Sequence, residues 1–193
     1  MLGTIVEKIK GMFLDPVETF RNSRADEPVA VFTYLAALLL VYAVISALIA
    51  TVISLLPIVP WKDLGLPLPV IAFFAVLIGG FVLMLVAAAW VHLWVYIFGG
   101  RNGIMATVRV IIYGHTPQLL LGWIPFLGLA FGIWALALDI LGLRELQELD
   151  TMKAILVMVI AILIPLFLII LAFAFFMISS ATVMVPPTNT GTR

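Results

Sequence analysis

Apolar residues fall into five long runs along the chain, and short polar or proline-rich segments separate them. Each run has close to the ~20 residues that a helix needs to cross about 30 Å of hydrocarbon. The pattern therefore predicts an all-α, polytopic integral membrane helix bundle over 29–179. The five predicted transmembrane spans are 29–56, 70–98, 104–122, 126–143 and 153–178.

The segments between the predicted spans contain residues that end helices. Prolines in "PIVPWKDLGLPLP" and glycines in "GGRNG" close the first two spans, and "WIP" separates the third from the fourth. A polar loop, "RELQELDTM", is predicted before the fifth span, and 180–193 is predicted to be a flexible extracytoplasmic tail. Because the third and fourth spans are short and closely joined, we expect a tight helical hairpin. The alternative is a pair of re-entrant half-helices.

The segment 1–28 has a helical pattern of its own, with apolar residues on one face and charged residues opposite. The apolar positions are Leu2, Ile5, Val6, Ile9, Met12 and Phe13, and the charged positions are Glu7, Lys8 and Lys10. This pattern predicts a short amphipathic helix in the cytoplasmic membrane interface. The helix either anchors the segment to the bilayer or docks a cytoplasmic protein partner. In the following "DPVE", Asp15 is expected to cap a second helix that starts at Pro16.

The amino-acid composition indicates a membrane protein and argues against several classes of function. The chain is 65% hydrophobic and 10% charged, with a mean hydropathy of +1.28, so the bilayer must be its solvent. Its formal net charge is zero, which argues against a nucleic-acid partner. The chain has no cysteine, and no nucleophile–base arrangement, paired carboxylates, phosphate loop or zinc motif occurs in it. We therefore expect a protein that is not an enzyme, with no catalytic residues, no metal and no cofactor.

Lysine and arginine determine the predicted orientation. If the N-terminus is cytoplasmic, the segments on that side hold seven of these residues and the outer segments hold two. The seven are Lys8, Lys10, Arg21, Arg24, Arg101, Arg144 and Lys153, and the two are Lys62 and Arg193. The positive-inside rule then predicts a multi-pass protein of the cell membrane, with the N-terminus in the cytoplasm and the C-terminus outside.

Three ionisable side chains on different predicted spans, His92, Arg109 and Asp139, fall at a similar depth. At about 1.5 Å per residue, each lies roughly 6–9 Å inside the membrane from the cytoplasmic side. Because ionisable groups are costly in hydrocarbon, this layer is a candidate polar pocket or pathway. The alternative is structural, with Arg109 reaching lipid phosphates and Asp139 paired locally. Since Arg109 and Asp139 are equally far from the hairpin, we expect them to form a direct or water-bridged pair.

A deeper candidate site lies where a proline interrupts the third span, in "YGHTPQ". Pro117 has no backbone N–H, so the carbonyl of Tyr113 needs a donor from a nearby polar group. His115 and Gln118 lie beside this kink near mid-membrane. The hypotheses for His115 are a structural role at the kink and a proton relay.

Small residues form a stripe on the predicted fourth span. Gly128 and Gly132 share a face with Ala135 and Asp139. Such a stripe lets helices approach closely, so it predicts packing within one protomer. The alternative is that it mediates dimerisation.

Several motifs together resemble a known family. "FLDPVETF", "FGGRNGIMATVRVIIYGHTPQLLLGWIPFLG" and "IWALALDILGLRELQELDTMKA" occur in the order typical of prokaryotic members of the Ypt-interacting-protein (Yip) family. The matching positions are Gly99, Gly100, Arg109, Tyr113, Pro117, Gly142, Leu143, Arg144 and Glu145. The resemblance implies five spans and a cytoplasmic N-terminus, in agreement with the charge distribution.

The resemblance also implies a function. Eukaryotic members are linked to small Rab-type GTPases and vesicle traffic and carry a long cytoplasmic N-terminal region, whereas here about 28 residues precede the first span. A short member is expected to be a membrane scaffold, adaptor or membrane-organising protein. The alternative is a small channel or transporter that uses the polar layer. The partners considered are the lipid bilayer, a protein at the cytoplasmic N-terminus and, for a homo-oligomer, a second copy of the chain.

Overall fold

The computed structural model of the chain describes residues 2–56 and 67–184, with side chains described over 3–56 and 67–180. All regular structure in these ranges is helical. Lys62 and Arg193, which entered the charge argument, lie outside the described residues, as does the predicted tail from 185 onward.

Two short helices precede the first long one. α1 spans Leu2–Leu14 and α2 spans Pro16–Asn22. The predicted cap is present, because the Asp15 carboxylate accepts a hydrogen bond from the backbone N–H of Glu18 at 3.1 Å. Pro16 opens α2, at a position where its missing N–H leaves no bond unmade.

Four long apolar helices form the framework of the described residues. In chain order the remaining elements are α3 (Pro28–Ser54), α4 (Leu68–Phe74), a π-helical turn (Ala75–Gly79), α5 (Gly80–Ile97), α6 (Ile104–Gly114), α7 (Thr116–Leu121), α8 (Leu127–Gln147) and α9 (Thr151–Met184). By length and composition, the helices able to cross a membrane are α3, the continuous helix from α4 to α5, α8 and α9.

The third predicted span is broken into two helices. α6 ends at Gly114 and α7 begins at Thr116, because Pro117 interrupts the backbone hydrogen bonds. The Thr116 hydroxyl donates to the carbonyl of Tyr113 at 2.6 Å and so replaces the bond that Pro117 cannot make. Neither α6 nor α7 alone is long enough to cross a membrane. Within the described residues, the five continuous spans of the prediction are therefore four long helices and one broken helix.

α6 and α7 pack antiparallel to α8, as expected for a hairpin. The facing pairs, from the turn outwards, are Gly122 with Gly128, Gln118 with Gly132, and Gly114 with Asp139. A Cβ atom on Gly128 would lie 2.5 Å from the carbonyl oxygen of Gly122, so the two backbones are in close contact there. The small-residue stripe of α8 thus packs within the protomer, and α8 is one continuous helix of 21 residues.

α8 continues beyond the predicted boundary at 143. The segment "RELQ", predicted to be part of a loop, forms its last turn because Leu143, Leu146 and Gln147 are buried. The helix stops at Glu148, whose backbone is left-handed with φ 55°. α9 also extends further than predicted, so that 180–184, the beginning of the predicted tail, is helical.

The two halves of α9 differ in their surroundings. Its buried residues, Ala154, Val157, Met158 and Ala161, all lie in the first half. Most large apolar side chains between 163 and 178 are exposed. An apolar surface of this extent is unfavourable in water and favourable against lipid, as in a membrane protein.

A side chain also replaces a missing backbone bond in α9. Pro165 has no N–H to donate to the carbonyl of Ala161, one helical turn earlier. The indole N–H of Trp90 on α5 donates to that carbonyl instead, at 2.9 Å. The bond joins α5 to α9 and provides the freed carbonyl with a donor.

We expect Trp90→Phe to lower the free energy of unfolding by about 1–3 kcal/mol, because the Ala161 carbonyl loses its donor in apolar surroundings. Pro165→Ala restores a backbone N–H at that point, so Trp90→Phe should cost much less in the Pro165→Ala background. Thermal unfolding of the four proteins in detergent measures this coupling.

Trp134→Phe is the matched control, since Trp134 is 43% exposed on α8. This substitution should change stability little. Equal costs of Trp90→Phe with and without Pro165 would show that the indole does not take over the role of the backbone donor.

Candidate functional site

Asp26, in the link between α2 and α3, joins three parts of the chain. Its carboxylate is ion-paired with Lys8 of α1 and accepts a hydrogen bond from the Tyr113 hydroxyl of α6 at 2.5 Å. Its main-chain carbonyl accepts hydrogen bonds from Nε of Arg109 at 3.1 Å and from Nη2 at 2.6 Å. The Lys8 and Asp26 side chains are only 15% and 23% exposed, so water screens their attraction weakly. Asp26 therefore ties α1 and the start of α3 to α6.

Lys8 also contacts an aromatic side chain, that of Tyr113. Its Nζ lies 4.3 Å from the centroid of the Tyr113 ring and 3.3 Å from the hydroxyl. The Tyr113 ring meets Tyr34 edge-on with the centroids 5.1 Å apart, and the Tyr34 hydroxyl is hydrogen-bonded to Thr116 Oγ1 at 2.8 Å. A cavity of about 260 Å³ lies beside these groups, between α1 and α3. The contacts thus run from α1 to the break between α6 and α7.

Apolar contacts pack α1 and α2 against the long helices. Phe20 is fully buried, and Gly142 of α8 leaves room for its ring. A Cβ atom at residue 142 would lie 2.9 Å from two ring carbons and from a methyl group of Val110. Met12 of α1 is also fully buried. We call residues 2–27, which fold back onto the long helices in this way, the N-terminal clasp.

Ion pairs at the outer edge connect the N-terminal clasp to the end of α8. Arg21 Nε lies 2.7 Å from Glu145 Oε2, and Arg24 Nη1 lies 3.2 Å from Glu148 Oε1. Hydrogen bonding to Glu145 and its negative charge raise the pKa of Arg21, which keeps the guanidinium charged. Exposed pairs of this kind contribute little to stability, so their main effect is on orientation.

α1 differs in two respects from the amphipathic helix predicted from the sequence. The pattern places Lys8 on the polar face, whereas its side chain is 15% exposed in the structure. Val6 and Phe13, assigned to the apolar face, are 47% and 36% exposed. The difference arises because Asp26 and Tyr113 supply a counter-charge and an aromatic ring to Lys8, and neither belongs to α1.

The three residues of the predicted polar layer, His92, Arg109 and Asp139, lie in three separate clusters. Nδ1 of His92 is hydrogen-bonded to Thr107 Oγ1 at 2.9 Å. Arg109 binds the link before α3, and Asp139 Oδ2 lies 3.5 Å from Nδ1 of His115. The expected direct pair of Arg109 and Asp139 is not formed, since among the described residues each has a different partner.

The register of the hairpin explains why Arg109 and Asp139 have different partners. Equal counting from the turn places Arg109 opposite Asp139, but the residue that faces Asp139 is Gly114. A Cβ atom at residue 114 would collide with the Asp139 carboxylate, so the glycine provides the space that the carboxylate fills. The carboxylate consequently lies beside His115, at the helix break.

His92 belongs to a network that joins α5, α6 and α8. The side-chain amide of Gln147 donates to Thr107 Oγ1 at 2.9 Å and to the carbonyl of Gly103 at 2.8 Å. Its Oε1 accepts a hydrogen bond from the backbone N–H of Asn102 at 3.1 Å. Thr107 and Gln147 are buried, so this network fixes the ends of three helices against each other.

The helix break divides the deeper predicted site. Tyr113 turns towards the N-terminal clasp, and Pro117 is buried at the start of α7. His115 donates from Nδ1 to the carbonyl of Ile111 at 2.9 Å, while Gln118 Oε1 is buried without a hydrogen-bond partner among the described residues. In the part of the chain that the structure describes, no group of His, Asp or Glu could hold a metal ion.

Lys8 and Asp26 are site residues that the sequence reasoning missed. Weak signals exist for both. Lys8 lies between Ile5 and Ile9 in the helical pattern, so a small rotation turns it inwards. Asp26 lies two residues before Pro28, where the first long helix begins. Neither signal identifies the partner, which depends on how α1 docks.

We expect Lys8→Gln and Asp26→Asn each to loosen α1, because each leaves a partly buried charge without its counter-ion. Hydrogen exchange should show lower protection of the α1 amides in both variants. In a thermal-unfolding cycle, the double variant should lose less stability than the sum of the two single variants.

Lys10→Gln is the control, since it removes the same charge from an exposed position on the same helix. It should leave the protection of α1 unchanged. Additive losses, or an equal loss in Lys10→Gln, would contradict the role given to the Lys8–Asp26 pair.

A family model described as the Yip1 domain matches residues 10–184 of the chain. The matched range begins within α1 and ends with α9, so it contains Asp26, Arg109 and Tyr113 but not Lys8. No curated protein and no solved structure matches the chain.

Proposed function

We propose that this chain, which belongs to the Yip1 domain family, is a non-enzymatic membrane scaffold or adaptor of a membrane-organising, trafficking-like kind. It holds a protein partner at the cytoplasmic surface of the membrane. The long apolar helices supply the membrane anchorage, and the N-terminal clasp supplies the surface.

The N-terminal clasp is the observation that carries this proposal. Its inner side is fixed to the chain itself through Lys8 and Asp26. Its outer side leaves Val6, Phe13 and Leu14 exposed, the last at 84%. An apolar patch on a segment held in place by ion pairs gives an adaptor a surface of constant shape.

The location of the polar groups favours the scaffold over the small channel or transporter. A pathway needs polar side chains that connect one side of the membrane with the other. Here His92, Arg109 and Asp139 each bind a different neighbour within the chain. These contacts join separate parts of the chain to one another, which is what a rigid scaffold requires.

The proposal includes five membrane passes, with the N-terminus in the cytoplasm and the C-terminus outside. α6 and α7 together lie along α8, from the contact of Thr107 with Gln147 to that of Gly122 with Gly128. The broken helix therefore spans about the same depth as a helix that is long enough to cross. The excess of lysine and arginine in the N-terminal clasp, in the loop after α5 and in the adjoining end turns of α8 and α9 supports the orientation.

Reporter fusions at the two termini test the number of passes. Five passes place the termini on opposite sides. We therefore expect a reporter that is active only outside the cytoplasm to work at the C-terminus and to fail at the N-terminus. Activity, or inactivity, at both termini would mean that α6 and α7 do not complete a crossing.

A photo-cross-linking residue in place of Phe13 tests the scaffold role. In intact membranes we expect discrete protein adducts at this position, because the outer side of the N-terminal clasp faces a partner. Phe173, which is 63% exposed on the second half of α9, is the control and should yield lipid adducts. Mass spectrometry distinguishes the two classes. Lipid adducts alone at Phe13 would show that the N-terminal clasp only rests on the bilayer, contrary to the proposal.

A further inference from the structure

The break between α6 and α7 lies beside a partly open cavity of about 240 Å³ that is lined by α5, α6, α8 and α9. Its lining is apolar except for two side chains that can bind a proton, His115 and Asp139. The cavity is separate from the one at the N-terminal clasp, and the scaffold role does not use it.

The orientation of the His115 ring follows from its hydrogen bond. Nδ1 lies 2.9 Å from the carbonyl oxygen of Ile111, and a carbonyl can only accept, so Nδ1 carries the hydrogen. Nε2 is then the nitrogen with a free lone pair, and no hydrogen bond to it is formed by the described residues. The side chain is 28% exposed, and Nε2 is not among the fully buried polar atoms that lack a partner.

Asp139 lies behind the ring, shielded from solvent. Its side chain is 1% exposed, and Oδ2 is 3.5 Å from Nδ1 of His115. Oδ1 is packed against Gly114 and has no hydrogen-bond partner among the described residues. A carboxylate in such surroundings is costly unless a positive charge is close to it. An imidazolium at His115 is the positive charge that the geometry allows.

Among the described residues, no other ionisable side chain lines the cavity around the pair. The remaining lining residues are Ala87 and Val91 of α5, Ile111 of α6, Gly132 and Leu136 of α8, and Met158, Ala161 and Ile162 of α9. Gln118 of α7 faces Gly132, one of these lining residues, and its buried Oε1 is a further acceptor without a donor among the described residues. Acceptors without matching donors favour a small cation that can donate hydrogen bonds.

We propose that His115 and Asp139 form a proton-binding site within the membrane-embedded part of the protein. A hydronium ion that reaches the cavity transfers its proton to Nε2. An N–H bond forms, an O–H bond breaks and a water molecule leaves. The imidazolium is stabilised by the Asp139 carboxylate on its other side. Binding needs access from one direction only, so the site is compatible with a protein that transports nothing and does not rest on the scaffold proposal.

Nitrogen NMR of isotope-labelled histidine in lipid nanodiscs tests the site directly. The chain has two histidines, so His92→Gln leaves the His115 signals alone in the spectrum. At high pH we expect the tautomer with hydrogen on Nδ1. On acidification between about pH 9 and pH 5, Nε2 should also gain its hydrogen. The opposite tautomer at high pH, or a ring that stays neutral throughout this range, would overturn the proposal.

Asp139→Asn tests the part played by the carboxylate. It should move the midpoint of His115 protonation down by about one pH unit or more. Glu7→Gln removes a charge from the exposed side of α1 and is the matched control, for which the midpoint should stay in place. An unchanged midpoint in a folded Asp139→Asn protein would contradict the proposal. If Asp139→Asn does not fold, the proposal is tested by the His115 tautomer and by the His115 titration in the protein that keeps Asp139.

Discussion

Inside a bilayer a polar group has no water to bind, and this constraint organises the whole chain. Two prolines free carbonyl groups within apolar surroundings, and a side chain replaces the lost donor each time. The Thr116 hydroxyl donates to the carbonyl of Tyr113, three residues earlier in the chain. The Trp90 indole donates to the carbonyl of Ala161 on another helix. The second replacement also joins α5 to α9. Prolines therefore create interhelical contacts here as well as interrupting helices.

Charged side chains obey the same constraint. Lys8, Asp26 and Arg109 would each be costly near hydrocarbon if they were alone. Lys8 and Asp26 form an ion pair, and Arg109 donates hydrogen bonds to the main-chain carbonyl of Asp26. The consequence is that the N-terminal clasp belongs to the fold. Its removal would leave the start of α3 and the Arg109 side chain of α6 without the partners that they have in the structure.

Features that depend on neighbouring residues could be predicted from the sequence, and features that depend on packing could not. The apolar runs indicated the long helices, and Pro117 indicated both a kink and a carbonyl in need of a donor. The partner of Asp139 depended on the hairpin register, in which a shift of about one helical turn exchanges one neighbour for another. The burial of Lys8 depended on Tyr113, which is 105 positions away in the sequence.

α9 has a consequence for the bilayer around the protein. Its 34 residues extend over roughly 50 Å, which exceeds the ~30 Å of a typical hydrocarbon layer. The first half is packed in the bundle, whereas most side chains in the half after Pro165 are exposed on the surface of the protein. Because a proline separates the two halves, the second half can tilt to match a thinner or thicker membrane while the first half keeps its contacts.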